Sequence, residues 1–212
     1  MTTKPRAIVF DSDEILLDWV TAFVTWHNKH HGTTVDATAE YHDKLHNLFE
    51  GIPYEIMDQR MQDFNSTAYE FGLAKPVQGA KLALSCIGRY NDLIDDPRKT
   101  IDLFVITKSG ASESSARMRR ANLAVVFGDV FKHVYCLDLH ESKVPYMKEI
   151  QQTHNVLLFV DDYFKNCEQI VTECGVRSIA LNCMHNRHLS APTIHELADT
   201  WENIYDVIYE VM

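Results

Sequence analysis

The sequence contains no apolar run close to the roughly 20 residues that a membrane-spanning helix requires. It also has no excess of positive charge, because 20 lysines and arginines stand against 30 aspartates and glutamates, for a net charge of −10. Phosphate backbones are bound by clusters of lysine and arginine, so this balance argues against a nucleic-acid polymer as a partner. A small phosphorylated substrate is still compatible with it, since a metal ion and one or two lysines can neutralise such a molecule.

The sequence has few cysteines, five in 212 residues, and their number is odd. A chain of this length can bury a good hydrophobic core without disulfides, so we interpret the cysteines as reduced thiols. The residues before the first apolar run are too few for a signal peptide. We therefore expect a cytoplasmic protein with no membrane partner. The composition leaves the oligomeric state open, with a homodimer among the options.

The first apolar run, residues 7–10, has the composition of a strand buried on both faces of a parallel sheet. It ends at Asp11, and a second carboxylate follows at Asp13. In an extended chain residues i and i+2 point to the same side, so the two carboxylates would converge beyond the strand's carboxyl end, where ligands bind in open α/β sheets. Close carboxylates repel each other unless a cation lies between them or one carries a proton, and Mg²⁺ suits oxygen ligands. The alternative is a strand that ends in acidic surface residues.

Further apolar runs predict four more strands, with helical patterns between them. These strands are residues 101–106, 133–137, 155–160 and 177–181. The alternation predicts an α/β fold with a doubly wound, parallel, five-stranded Rossmann-like sheet. A last helix is predicted from Thr193 to Met212. Another, from about residue 112 to 121, carries Arg117, Arg119 and Arg120, which we interpret as a solvated helix face.

No strand signal occurs between the first strand and residue 77. Helical patterns cover about residues 17–32, 36–50 and 53–72, with Gly32 as the predicted C-cap of the first helix. We predict an all-helical cap over residues 17–76, inserted into a core formed by residues 1–16 and 77–212.

Polar residues follow several of the predicted strands directly, and a lysine stands at the start of a later helix. They are Asp11 and Asp13, Thr107, Lys143, and Asp161 with Asp162. Because the carboxyl ends of parallel strands share one edge of the sheet, these side chains are predicted to face a single crevice.

This order of motifs, with a helical insertion after the first of them, resembles the haloacid dehalogenase-like hydrolase superfamily with a C1 cap. A weaker resemblance, carried by Trp19 and by Asn166 after the aspartate pair, is to the 5′(3′)-deoxyribonucleotidase group. The resemblance implies a phosphatase in which Asp11 attacks phosphorus to form an aspartyl-phosphate and Asp13 acts as general acid and base. It also implies that Thr107 hydrogen-bonds a phosphoryl oxygen and that Lys143 neutralises the nucleophile and the phosphoryl charge.

The resemblance further implies a Mg²⁺ cofactor. Its ligands would be Asp11, the backbone carbonyl of Asp13 and Asp162, with Asp161 acting through a water molecule. Lys108, which directly follows Thr107, is a further candidate for binding phosphate, and Trp19 for stacking on a nucleobase.

The partner that these residues imply is a small phosphomonoester. A nucleoside monophosphate is our first expectation, and a phosphosugar or another small phosphomonoester is the alternative. A dehalogenase of the same superfamily would not need Asp13 as a proton donor. A two-component receiver domain uses similar residues in another order and has no helical insertion. A catalytically weak binding protein with the same fold is the non-enzyme alternative, and its support is Glu14, which stands where many superfamily members have glycine.

Overall fold

The computed structural model describes residues 4–42, 44–96, 98–110, 112–187 and 196–212. Its strands are β1 (Arg6–Phe10), β2 (Ile101–Thr107), β3 (Phe131–Cys136), β4 (Asn155–Asp161), β5 (Ser178–Leu181) and β6 (Glu196–Ala198). They form one parallel sheet in the order β3-β2-β1-β4-β5-β6. The helices are α1 (Trp19–His31), α2 (Tyr54–Thr67), α3 (Ala80–Leu93), α4 (Glu113–Phe127), α5 (Val144–Thr153), α6 (Phe164–Cys174) and α7 (Trp201–Val211). No helix among these described residues is long and apolar enough to cross a membrane.

Strand β1 lies in the middle of the sheet, between β2 and β4, and both of its faces are covered by helices. Ile8 and Phe10 pack into a hydrophobic cluster with α3 and α7, while Ala7 and Val9 pack into another with α5 and α6. Alternate residues of a strand point to opposite faces, so a strand covered on both sides must be apolar throughout. The predicted doubly wound α/β fold is confirmed.

The sheet has a sixth strand, which the sequence does not reveal, so the predicted five-stranded sheet is wrong in its strand number. Strand β6 is three residues long and pairs with β5, in the range predicted as the start of the last helix. That helix begins only at Trp201, where the side chain of Thr200 accepts the N–H of Asn203 and caps it. A strand of three residues is too short to show a period-two pattern. The predicted start of the last helix, Thr193, lies outside the described residues.

The segment between β1 and α3 is helical, as predicted, and packs around a hydrophobic cluster of its own. It contains α1, α2 and two short 3-10 helices, Leu45–Leu48 and Tyr69–Leu73. Phe23 and Phe64 lie at the centre of the cluster, their ring centroids 5.4 Å apart. Helix α1 ends as predicted, because Gly32 takes a left-handed φ of 67° and donates its N–H to Asn28 O.

The helix predicted over residues 36–50 is absent from the described part of that range, which contains turns and the 3-10 helix Leu45–Leu48. Asp36 explains part of the difference, because its Oδ1 accepts hydrogen bonds from both the N–H and the hydroxyl of Thr38, each at 2.8 Å. Such a local bond offers the backbone a turn in place of a helix.

Two paired linkers join the helical segment to the rest of the chain. The N–H of Asp18 donates to Lys75 O at 2.8 Å, and the N–H of Val77 donates to Leu16 O at 3.0 Å. The two predicted boundaries, 16/17 and 76/77, fall within this paired stretch. The division into core and cap domains stays a prediction.

Gly79 offers a test of packing between α3 and α7. It has a φ of 89°, and a Cβ at this position would lie 2.7 Å from Trp201 Cβ, whereas a Cβ at Gly32, with a φ of 67°, would meet nothing within 4 Å. We expect Gly32→Ala to lower the free energy of unfolding by about 1–2 kcal/mol, the strain of a left-handed residue. Gly79→Ala should lower it by about 2–5 kcal/mol, since overpacking is added to that strain. Urea unfolding of both variants checks this, and equal losses would contradict the clash with Trp201.

Candidate active site

Three carboxylates meet where neighbouring strands β1 and β4 end. Asp11 follows β1, Asp161 is the last residue of β4, and Asp162 comes next. All three are buried, and one carboxylate oxygen of each lies within 4.8 Å of the others. Within the described ranges, no other group of three or more histidine, cysteine, aspartate or glutamate side chains lies this close together. The sheet therefore brings these three predicted site residues together.

Lys143 bridges two of these carboxylates. It is the N-cap residue of α5, and its buried Nζ lies 2.7 Å from both Asp11 Oδ1 and Asp161 Oδ2. Burial alone would lower the pKa of Lys143, but the charges of Asp11 and Asp161 and the hydrogen bonds to them outweigh that effect and raise the pKa. The lysine is therefore held as a cation.

One lysine does not balance three buried carboxylates. Burial, opposed by Lys143 and reinforced by the charges of Asp161 and Asp13, raises the pKa of Asp11 to about 7. Burial and the charges of Asp161 and Asp11 raise the pKa of Asp162 well above its usual value. Close, desolvated carboxylates of this kind suit a hard divalent cation, which binds oxygen ligands and offsets their repulsion. The residues present fit a Mg²⁺ site.

Asp161 and Asp162 have different neighbours. Asp161 Oδ1 accepts the N–H of Tyr163 at 2.8 Å, and its Oδ2 accepts hydrogen bonds from Lys143 and, at 3.0 Å, from Asn166. Asp162 Oδ2 lies 3.4 Å from His185 Nε2. Both oxygens of Asp161 are thus already engaged by protein donors, which leaves Asp162 as the better candidate for a direct metal ligand.

Thr107 is the last residue of β2, and Lys108 comes next. Strand β2 pairs with β1, so both residues lie at the same edge of the sheet as Asp11. Thr107 is fully buried, and its Oγ1 has no hydrogen-bond partner among the described residues. A buried hydroxyl without a partner is destabilising, and a phosphoryl oxygen would satisfy it. Lys108 Nζ donates to Asn166 Oδ1 at 3.1 Å. Burial and the charge of Lys143 lower the pKa of Lys108.

A cavity of about 330 Å³ lies between the helical segment and the strand ends. Its lining includes Asp13, Trp19, Lys44, Asn65, Lys108 and Tyr163. A larger cavity of about 1040 Å³ lies beside the paired linkers and the start of α7, and its lining contains Glu14 but neither Asp13 nor Lys108. Neither lining includes the three clustered aspartates. We therefore take the smaller cavity, which reaches Asp13 and Lys108, as the candidate substrate site.

Trp19 lies on the wall of this cavity, at the start of α1. Its indole N–H donates to Asn65 Oδ1 at 2.8 Å, and its ring stacks on Phe23 with a centroid distance of 5.0 Å and an interplanar angle of 3°. Phe23 itself is completely buried in the cluster of the helical segment. One face of Trp19 thus packs on protein, while the ring as a whole is only half-buried.

Asp13 does not join the three clustered aspartates and instead contacts Arg119 of α4. Arg119 Nη2 lies 2.8 Å from Asp13 Oδ1. Burial raises the pKa of Asp13, and the charge of Arg119 opposes that rise. The prediction that Arg119 belongs to a solvated helix face is wrong, because its side chain is 0% exposed, while Arg117 and Arg120 on the same helix are exposed.

Neither a scan of protein-family models nor a search of curated proteins finds a match to the sequence. Solved structures do match it over nearly the whole length. One is a HAD-superfamily hydrolase, subfamily IA, variant 1, from Geobacter sulfurreducens PCA, with 16% identity, a TM-score of 0.55 and coverage of 96% of this chain and 99% of that chain. Another is a 2-haloacid dehalogenase from Pseudomonas syringae pv. Tomato DC3000, with 15% identity, a TM-score of 0.56 and coverage of 98% and 100%. A third is CbbY from Rhodobacter sphaeroides in complex with phosphate, with 16% identity, a TM-score of 0.51 and coverage of 93% and 95%.

The chain has the haloacid dehalogenase-like fold. The resemblance to that superfamily is confirmed at the level of the fold, including the helical insertion after β1. At these identities the comparisons establish the fold alone.

Glu14 occupies a strained backbone position in the loop after β1. Its φ is 60°, the only positive φ of a residue other than glycine in the described ranges. Its Oε1 accepts the N–H of Val20 at 2.8 Å, and burial raises its pKa to about 8. The side chain therefore satisfies an N–H in the first turn of α1, which offsets part of the strain that glycine would avoid.

The candidate site contains residues that sequence reasoning missed. Arg119 carries no sequence signal, because three of the four buried residues of α4, Ser115, Arg119 and Asn122, are polar and only Leu123 is apolar. His185 and the buried Asn186, whose Nδ2 donates to Asp162 O at 2.6 Å, come from the turn after β5. No local pattern marks them.

Proposed function

We propose that the protein is a Mg²⁺-dependent phosphomonoester hydrolase that acts through an aspartyl-phosphate on Asp11. The observation that carries this proposal is the buried Lys143, held between Asp11 and Asp161 at 2.7 Å from each, with Asp162 beside them. Phosphoryl transfer requires mainly positioning and charge stabilisation, and this arrangement supplies a fixed cation next to a carboxylate nucleophile.

The proposed reaction has two steps. A carboxylate oxygen of Asp11 attacks phosphorus, the bond from phosphorus to the ester oxygen breaks, and the leaving oxygen takes a proton from Asp13. Water then attacks the aspartyl-phosphate, Asp13 takes a proton from that water, and the bond between phosphorus and Asp11 breaks to release phosphate. Thr107 Oγ1 donates a hydrogen bond to a phosphoryl oxygen, and Lys143 stays charged throughout. Lys108, next to Thr107, adds a second cation for the phosphate.

Asp11, Asp162 and the backbone carbonyl of Asp13 would hold the Mg²⁺ ion, with Asp161 as an outer ligand through water. The bound ion would offset negative charge on the transferring phosphoryl group. In this proposal Asp161 orients Lys143, which accounts for its complete set of protein hydrogen bonds.

For the substrate we propose a nucleoside monophosphate, with residues 17–76 as a cap over a core of residues 1–16 and 77–212. Trp19, Lys44 and Asn65 line the cavity from the helical segment, and Asp13 and Lys108 line it from the other side. Trp19 supports a base, because a half-buried indole on the cavity wall offers an aromatic surface. Lys44 supports the second candidate, a phosphosugar or another small phosphomonoester with further anionic or hydroxyl groups. A screen of both classes with Mg²⁺, scored by kcat/KM, tests the proposal, and the absence of any phosphatase activity would refute it.

Trp19→Ala separates the two substrate classes. If the ring stacks on a base, the variant should lose about 1–3 kcal/mol of binding to a nucleotide, a roughly 5- to 150-fold drop in kcat/KM. Hydrolysis of p-nitrophenyl phosphate should change far less, since little of that ester reaches the cap. Trp19→Phe is the matched control, because it keeps an aromatic face and loses only the hydrogen bond to Asn65. Equal losses on both substrates would assign Trp19 to the packing with Phe23, and a loss confined to a phosphosugar would favour the second candidate.

A further inference from the structure

Arg119 is a buried cation at the junction between α4 and the helical segment. Its side chain is 0% exposed. Removing a guanidinium group from water is strongly unfavourable unless partners replace the hydration. The contacts of Arg119 should therefore explain why an arginine stands here rather than an apolar residue.

Arg119 has two close partners, one on each side. Its Nη2 lies 2.8 Å from Asp13 Oδ1, and its Cζ lies 4.1 Å from the ring centroid of Phe71 in the helical segment. None of its three guanidinium nitrogens makes a hydrogen bond among the described residues, so Nη2 contacts Asp13 as an ion pair. A buried arginine would be expected to use its whole fork of donors for structural bonds. Here Asp13 supplies the only carboxylate within ion-pair distance in the described part of the chain.

Helix α4 is also fixed to the helical segment on both sides of Arg119. Ser114 Oγ donates to Ser66 O at 2.7 Å, and Asn122 Nδ2 donates to Ala74 O at 3.1 Å. Phe71 lies between these two points along the chain and is completely buried. The guanidinium group is thus held between a rigid helix and an aromatic ring, with one end directed to Asp13.

We propose that Arg119 is a positioning residue that holds the Asp13 carboxyl group for proton transfer and links its placement to Phe71 of the helical segment. The inference rests on the proposed function. Asp13 lies in the loop after β1 and its side chain is partly exposed, so an ion pair to an arginine on α4 restricts the orientation of its carboxyl group. General acid catalysis depends on such placement, because the proton must lie within hydrogen-bond reach of the leaving oxygen.

The test uses two esters that differ in their need for an acid. The p-nitrophenolate group leaves without a proton, whereas the alkoxide of an alkyl phosphate needs one. For Arg119→Met we expect kcat/KM to fall about 10- to 100-fold on the alkyl phosphate and only a few-fold on p-nitrophenyl phosphate, a part of the range that general acid catalysis contributes. Arg119→Lys should recover part of the loss. Arg117→Met, an exposed change on the same helix, is the matched control and should leave both values unchanged.

A double-mutant cycle with Asp13→Asn distinguishes a positioning role of Arg119 from a purely structural one. If Arg119 acts through Asp13, Arg119→Met should have little further effect in the Asp13→Asn background. Phe71→Leu removes the ring beside the guanidinium without changing any charge, and it should show the same preference for loss on the alkyl ester. That variant and Arg119→Lys carry the test if Arg119→Met does not fold, as checked by thermal unfolding.

Three results would overturn this inference while leaving the proposed function intact. They are equal losses on both esters, additive effects of Arg119→Met and Asp13→Asn, and faster hydrolysis of the alkyl ester by Arg119→Met. The last would mean that Arg119 withholds Asp13 from the reaction. A wild-type protein that hydrolyses neither these two esters nor any phosphomonoester of the screen would instead overturn the proposed function, and this inference with it.

Discussion

Asp11→Asn is expected to abolish phosphatase activity while leaving the protein folded. The amide is nearly isosteric with the carboxylate but is not a nucleophile, so no aspartyl-phosphate can form. We expect kcat/KM to fall by at least about 10³-fold, the scale of losses when a nucleophile is removed. The measurement is steady-state hydrolysis of the best substrate from the phosphomonoester screen, together with a search for the covalent phosphoenzyme in rapidly quenched protein.

The thermal stability of Asp11→Asn shows whether a loss of activity comes from the missing nucleophile or from unfolding. Asp11 is buried, and burial with the charges of Asp161 and Asp13 raises its pKa, so a neutral amide relieves repulsion at the site. It also weakens the contact with Lys143, and the two effects oppose each other. We expect the melting temperature to change little. Asp206→Asn, an exposed change on α7, is the matched control. Residual activity above a few per cent of wild type, with the protein folded, would exclude Asp11 as the nucleophile.

The sequence predicts the elements that carry the site because those elements are local and strongly patterned. Residues 7–10 of β1 and 156–160 of β4 are continuous apolar runs, and an aspartate comes directly after each run. A parallel sheet then requires both ends to lie at one edge, which places Asp11 near Asp161 without any knowledge of tertiary contacts. The convergence of Asp11, Asp161 and Lys143 follows from this reasoning.

What the sequence does not reveal depends on distant partners. The sequence predicts a solvated position for Arg119 because it stands among other arginines, and nothing near it in sequence indicates its contacts with Asp13 and Phe71. Strand β6 is stabilised by pairing with β5, since its three residues carry too little pattern to identify a strand. In residues 36–50, apolar spacing indicated a helix, and the side chain of Asp36 stabilises a turn instead.

The position of Asp13 shows where the i, i+2 argument for an extended chain fails. The two aspartates of the first motif were expected to converge in an extended chain, but the chain turns after Asp11, and Ser12 O accepts the N–H groups of Leu16 and Leu17. Asp11 therefore joins the carboxylate cluster, while Asp13 contacts α4. This separation fits the different tasks that we propose for the two, since a nucleophile and a proton donor must approach different atoms of the substrate.

Removal of divalent metal is the second large effect that we expect. Excess EDTA should abolish activity, and Mg²⁺ should restore it, because Asp11, Asp161 and Asp162 leave negative charge that Lys143 alone does not balance. Ca²⁺ should restore activity poorly, since its larger and looser coordination shell misplaces the attacking and leaving groups. Activity measured over a series of Mg²⁺ and Ca²⁺ concentrations in chelator-treated protein checks this.

A readout that does not depend on turnover sharpens the metal prediction. Mg²⁺ that binds the folded protein should raise its melting temperature with increasing concentration, by mass action. Asp162→Asn should weaken that shift and raise the Mg²⁺ concentration needed for activity, because an amide oxygen carries no charge to attract the ion. Asp161→Asn should act mainly through Lys143, lowering kcat with a smaller change in the Mg²⁺ requirement. Full activity in excess chelator would rule out a metal role for the cluster, and identical effects of the two variants would contradict the separate tasks assigned to Asp161 and Asp162.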